Sequence, residues 1–271
     1  MNLTDLNSNE ANYNLYLKRM TESCCKSSKG LIPVFCKGKV LDVGCGSGVL
    51  LEQLENAKGI DINKNSVQVC RQKGLNAECI PLEKVKEKFD TIIFSSVLHE
   101  FSSYASYFRY GSNAILKALS TSYDILNYNG RVIIRDGVKA EPGVSTVKAK
   151  DYSVVDAITK FAHDAPMFNL NQIELSINGL EITAKDEFLK EFMFTYTWGP
   201  ESYFRESKEQ YGILTVSRWE SILESAGFRI VMTSTFAEEY LEYLSKHFER
   251  DRSLYKLLNK STILIVAEKK N

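Results

Sequence analysis

The stretch VLDVGCGSGVL, Val40 to Leu50, places three glycines within five residues directly after a short apolar run. The segment 39–45 is an apolar run interrupted at Asp42, the mark of a parallel strand buried on both faces. Glycine has no Cβ, so a cluster of them at a strand end marks backbone that something approaches closely. In an open α/β sheet the ligand crevice lies beyond the carboxyl ends of the strands, where strand order reverses, and the first strand borders it.

Further apolar runs lie at 57–63, 76–80, 89–98 and 131–137. Helix-compatible stretches separate most of them. SGVLLEQLEN follows the first strand, KNSVQVCRQKG has Asn63 or Asn65 as cap and Gly74 as stop, and AILKALSTSYDIL closes at Asn129-Gly130. This alternation predicts an α/β fold, a Rossmann-like doubly wound sheet with helices on both faces. The βα period breaks at Val138 and resumes with a helix at 216–228, a strand at 229–235 and a final strand at 261–269. The sheet then has seven strands, mostly parallel, with the last antiparallel.

The expected organisation is an N-terminal helical segment (1–38), a core (39–137 and 216–271) and an insertion (138–215). Tyr13, Leu17 and Met20 give the first segment a helical stripe over 10–29. The insertion carries helices at DYSVVDAITKFAHDA and AKDEFLKEFMF and a hairpin turning at Asn178-Gly179. Between the last two strands, FAEEYLEYLSKHFERDRSLYKLLNK reads as a solvated amphipathic helix with Tyr240, Tyr243 and Leu244 as its buried stripe.

The 271 residues hold 34 lysines and arginines against 34 aspartates and glutamates, so no global field draws nucleic acid or anionic lipid. No apolar run approaches the roughly 18 residues that span a bilayer. The first residues contain no apolar secretory region, and a cytoplasmic location is expected. Cysteines 24, 25, 36, 45, 70 and 79 form no CxxC pair, which speaks for reduced thiols and against zinc. His99, His163 and His247 stand singly, so no metal centre is expected.

Two cofactor classes use such a glycine turn. A dinucleotide requires GxGxxG or GxGxxA, but here the third position is Val49, and Asp42 opposes a pyrophosphate. An aspartate suits a cationic ligand better. The order D-x-G-x-G-x-G resembles motif I of class I S-adenosylmethionine-dependent methyltransferases, and the resemblance covers 39–137 and the final strands. It implies S-adenosyl-L-methionine as cofactor, held by Asp42, Gly44, Cys45, Gly46 and Gly48. Asp61, with Ile62, closes the second strand about 20 residues on, where an acidic residue binds ribose hydroxyls. By the same resemblance Leu82 flanks the adenine, and Ser95, Ser96 and Leu98 in FDTIIFSSVLHEF pass near the methionine portion and adenine edge. SSVLHE, VIIRDG and YTWGPESYFRESKEQYG together resemble a bacterial and phage group of methyltransferase-like proteins, which ties the insertion to the working site.

Methyl transfer from a sulfonium needs positioning and desolvation first, and a base only where the acceptor must lose a proton early. His99 and Glu100, just past the fourth strand, are the candidate acid–base residues, and Arg135 the candidate anchor for an anionic group. Asp136 faces the same opening in this reading. Tyr196, Trp198 and Tyr211 crowd around Arg205, Glu206 and Glu209, and are read as substrate-facing, as a lid that excludes water, with a subunit interface forming a homodimer or a satellite core holding the insertion together as the alternatives. The expected activity is methyl transfer to an oxygen or nitrogen of a small molecule. The alternatives are a nucleic-acid or nucleotide methyltransferase, with lysines 26, 29, 37 and 39 near the crevice, and a non-catalytic cofactor-binding partner module.

Overall fold

A computed structural model describes residues 28–105, 110–237 and 240–270. The helix read at 10–29 therefore lies almost wholly outside the described residues. In chain order the elements are α1 (Ile32–Phe35), β1 (Val40–Val43), β2 (Ala57–Ile60), α2 (Lys64–Gln72), β3 (Ala77–Glu78), β4 (Phe89–Ser95), α3 (Leu98–Ser103), α4 (Asn113–Ile125) and β5 (Leu126–Gly137). Then come β6 (Val144–Lys148), α5 (Tyr152–Asp164), β7 (Ser176–Asn178), β8 (Glu181–Lys185), α6 (Asp186–Tyr196) and α7 (Tyr203–Glu206). The chain ends with α8 (Val216–Ser225), β9 (Phe228–Phe236), α9 (Tyr240–Leu244), α10 (Arg252–Leu258) and β10 (Thr262–Lys269). Among the described residues no helix is long and apolar enough to cross a membrane.

The main sheet has seven strands in the order β3-β2-β1-β4-β5-β10-β9. β1 to β5 pair in parallel, and β10 runs antiparallel between β5 and β9, as the sequence predicts. The chain builds outward from β1 on one side and returns to its other side with β4, so strand order reverses between β1 and β4. Every residue of β1 is buried, which is why it reads as an apolar run.

Two local expectations are corrected. SGVLLEQLEN forms only a 3-10 turn, Leu51–Gln53, instead of a helix. Leu50 packs with Val40 and Ile93, whereas Leu51 packs with Cys45 and Val67 in a separate cluster. Consecutive side chains thus feed two cores, and the chain must reach β2 by Ala57. Likewise α4 stops at Ile125 rather than at Asn129-Gly130, because Leu126 already pairs with Phe89 ahead of an irregularity in the ladder.

A second sheet, β6-β8-β7, is antiparallel, and its hairpin turns at Gly179 with φ +60°, a conformation glycine adopts without strain. Behind it, Phe161, Phe188 and Phe192 of α5 and α6 share one apolar cluster with Leu244, Phe248, Leu254 and Leu257. The segment after β9 is therefore no free amphipathic helix. It completes the core of the 144–196 unit, and Lys256 Nζ meets Asp186 Oδ2 at 2.7 Å to fasten the two.

Candidate active site

The glycine loop leaves β1 with Gly44, Gly46 and Gly48 all at positive φ (70°, 52° and 81°). A Cβ on Gly44 would lie 2.5 Å from Val97 Cγ2, and one on Gly48 2.4 Å from Leu75 Cδ1. At these two positions the close neighbour that forbids a side chain is the protein itself. The loop is also tied to β2: Gly44 N–H donates to Ile60 O (2.8 Å) and Gly46 N–H to Asp61 Oδ2 (3.0 Å). Asp61 Oδ1 accepts from Asn63 N–H (2.8 Å), so one carboxylate fixes both the loop and the start of α2. Asn63 is the cap that the sequence left open against Asn65.

Asp42 is buried, and among the described residues no hydrogen bond reaches its carboxylate; burial pushes it up to about 7, against the charge of Lys29. Burial also raises Asp61, while the Asn63 and Gly46 amides and the charge of Arg205 pull the other way. Ser95 Oγ, at the end of β4, is buried without a hydrogen-bond partner among the described residues. Two carboxylates and an unspent hydroxyl at the strand ends fit a ligand with a cationic end and a diol. S-adenosylmethionine is such a ligand.

Several candidates stand elsewhere than expected. Leu82 and Leu98 lie inside the main core with Ile60 and Ile115, and Cys45 turns its side chain inward toward Leu51 and Cys70. The Cys45 backbone is spent as well, its N–H on Ile60 O (3.1 Å) and its carbonyl on Gly48 N–H (2.9 Å), whereas Ile62 is exposed beside Asp61. Arg135 and Asp136 do not share an opening, because consecutive strand residues point to opposite faces. Arg135 Nε donates to Ser28 Oγ (2.9 Å) and its Nη1 to Ser96 Oγ (2.6 Å). Tyr196 belongs to the other unit, edge-on to His247 and against Phe192. Trp198 sits half-buried in the turn that follows α6.

His99, Glu100, Asp136, Arg205 and Tyr211 do come together. Asp136 is buried and accepts from His99 at both Nδ1 (2.7 Å) and the backbone N–H (3.2 Å), so it holds the histidine in place. His99 Nε2 lies 3.5 Å from Glu209 Oε2, and its ring stacks on Tyr211 at 4.9 Å. The histidine is thus clamped between two carboxylates, whose charge overcomes burial and raises its pKa well above the usual value. Arg205 Nη2 donates to Glu100 Oε1 (2.9 Å) and its Nε to Glu209 Oε1 (3.2 Å), which Tyr104 Oη also reaches (3.0 Å). Burial pushes Glu100 up to about 7, and Glu206 up to about 8. Against the same burial, Arg205 and His99 hold Glu209 down to about 2.

A buried helical glutamate anchors the stretch behind this cluster. Glu191 accepts from the Tyr211 and Gly212 amides at 2.8 and 2.6 Å, and these two bonds fix the segment carrying Arg205 to Tyr211 over α3. Glu191 and Tyr104 were not found by sequence reasoning. The signal for the first was present: a charge in the midst of FLKEFMF, on a helix whose residues 188–195 are all buried. Tyr104 carried none.

A family model described as a methyltransferase domain matches residues 36–227. An uncharacterized methyltransferase of Schizosaccharomyces pombe is 31% identical over 131 residues, which is 44% of this chain and 47% of the relative, so the chain spans about half of that relative's length. Among solved structures, an S-adenosylmethionine-dependent methyltransferase of Thermotoga maritima aligns with a TM-score of 0.52 at 13% identity, over 97% of this chain and 95% of its own. The 1,6-didemethyltoxoflavin-N1-methyltransferase of Burkholderia thailandensis, solved with its substrate and S-adenosylhomocysteine, aligns with a TM-score of 0.50 at 14% identity, over 96% and 85%. At these identities the structural likeness concerns the fold.

Proposed function

This chain belongs to the methyltransferase-domain family and its cofactor is S-adenosylmethionine, and from that premise we propose that it methylates an oxygen or nitrogen of a small molecule. The observation that carries the reading is the placement of the Glu100–Arg205 pair, 2.9 Å apart, at the end of β4 and close enough to Asp61 for Arg205 to act on its pKa. The cofactor, when bound, supplies a methyl carbon already activated by its sulfonium. The protein then has to position and to dry the site.

In this reading Asp61 takes the ribose hydroxyls, the amides of the glycine loop lie under the cofactor, and Ser95 Oγ donates to its amino-acid end. The acceptor rests against the Glu100–Arg205 edge, the most open part of the polar cluster. His99 is a positioning residue: with Nδ1 on Asp136 and Nε2 toward Glu209, it sets the carboxylate that holds Arg205. A small acceptor is favoured by the equal count of 34 acidic and 34 basic residues and by a wall of residues 203–211 that leaves Arg205 only 12% exposed. The toxoflavin-precursor enzyme of like fold acts on a small molecule.

The test is to incubate the protein with methyl-labelled S-adenosylmethionine and a cell extract, then to separate metabolites from RNA and protein. Label is expected in the metabolite fraction. Label confined to RNA or protein would overturn the small-molecule reading.

A further inference from the structure

His99, Glu100 and Glu209 lie far apart in sequence, yet one ligand-type atom from each falls within 4.8 Å of the others. The outer atom of each is already held by a neighbour. His99 Nδ1 is on Asp136 Oδ1 (2.7 Å), Glu209 Oε1 accepts from Tyr104 Oη (3.0 Å) and Arg205 Nε (3.2 Å), and Glu100 Oε1 accepts from Arg205 Nη2 (2.9 Å). Each side chain keeps one further donor atom. This is how metal ligands are oriented: the far atom is fixed by a partner, and the near atom faces the ion.

The spacing agrees. His99 Nε2 and Glu209 Oε2 are 3.5 Å apart, long for a hydrogen bond. Two ligands each about 2.1 Å from a tetrahedral ion stand about 3.4 Å apart. Four carboxyl groups (Glu100, Asp136, Glu206 and Glu209) surround Arg205 and His99. Among the described residues Glu206 Oε1 is buried with no hydrogen-bond partner, 3.9 Å from Arg205 Nε.

We infer that His99 Nε2, Glu209 Oε2 and a Glu100 oxygen bind one divalent cation of the zinc or manganese type, open toward the crevice through Glu100. One imidazole and two carboxylates suit those ions. Resting on the methyl-transfer reading, this narrows the acceptor to a hydroxyl. The hydroxyl binds the open position, its O–H bond breaks, the proton passes to solvent water, and the electron pair stays on the oxygen as a cation-bound alkoxide or phenolate. Glu100 then orients the acceptor through the ion.

The experiment is equilibrium dialysis of the untagged full chain against zinc chloride and, separately, manganese chloride, with metal per chain read by mass spectrometry. About one ion per chain is expected for wild type with at least one of the two metals, and retention weaker by roughly 10-fold or more for Glu100→Gln and Glu209→Gln. Glu100→Gln is the safeguard against misfolding, because Glu100 is only half-buried. No ion on wild type, or equal retention by a folded Glu100→Gln, overturns the site. Titration of S-adenosylhomocysteine into the same samples separates the two readings: cofactor binding without metal overturns only the cation site, and metal binding without cofactor binding overturns the methyl-transfer reading.

Discussion

Replacing Arg205 with alanine is expected to destabilise the protein by about 3–5 kcal/mol, because it strips the cation from buried carboxylates rather than from a surface pair. Arg205 is 12% exposed at its side chain and reaches Glu100 (2.9 Å), Glu209 (3.2 Å) and Glu206 (3.9 Å), of which Glu206 and Glu209 are almost fully buried. An exposed pair would contribute less than about 1 kcal/mol. Without the guanidinium, Glu209 loses the main influence that opposes its burial and must either carry an unpaired charge or take up a proton. Lysine at the same place keeps the charge but not the fork that serves two carboxylates at once, and Arg205→Lys should recover only part of the loss. Urea unfolding checks this. A change below about 1 kcal/mol for Arg205→Ala would mean that water screens the cluster as it does a surface pair.

Trp219→Ala is expected to cost about 3–5 kcal/mol as well, for a different reason. Trp219 of α8 is fully buried in the main core with Ile222, Leu223 and Phe228, where its removal leaves a cavity that rigid strands cannot close. Its indole Nε1 is buried with no hydrogen-bond partner among the described residues. Phenylalanine therefore gives up apolar contact but also relieves an unpaired donor, and Trp219→Phe should cost much less than the alanine variant. Thermal unfolding of the two variants separates the volume effect from the polar one. Equal losses would show that the indole N–H finds a partner after all.

The sheet was legible because its strands are buried on both faces, which leaves long apolar runs bounded by glycine and polar residues. The antiparallel return of β10 and the hairpin at Gly179 were legible for the same kind of reason, a period and a turn residue. SGVLLEQLEN misled because its leucines serve two cores, and a helical count cannot tell one apolar stripe from two. The proposed cofactor side rests on Asp42, Gly44, Gly46, Gly48 and Asp61, which the sequence singles out because a motif orders the first four along one short segment and Asp61 follows at the next strand end. The opposite side was only half readable. Arg205, Glu206, Glu209 and Tyr211 stand close together in sequence and were singled out, yet their meeting with His99 and Asp136 depends on contacts more than 60 residues apart. Alternation along a strand separated Arg135 from Asp136, a consequence of period two that reading residues by their nearness to the strand end does not capture. Leu82 and Leu98 were assigned to the crevice by motif position alone, and their apolar chemistry sends them to the core instead.

Titration of S-adenosylhomocysteine into wild type and Asp61→Ala, followed by calorimetry, tests most directly that the crevice at the ends of β1 and β2 is the cofactor site. Among the described residues Asp61 accepts from backbone amides, those of Gly46, Asn63 and Ile62, and from no side chain, so a diol can compete for its oxygens. Losing charge-assisted hydrogen bonds of this kind costs about 1.5–3 kcal/mol, and the variant should bind about 10- to 100-fold more weakly while still unfolding cooperatively. Asp61→Asn, which keeps one acceptor oxygen, should fall between. Equal affinity in wild type and a folded Asp61→Ala would contradict the assignment and move the ribose to another strand end.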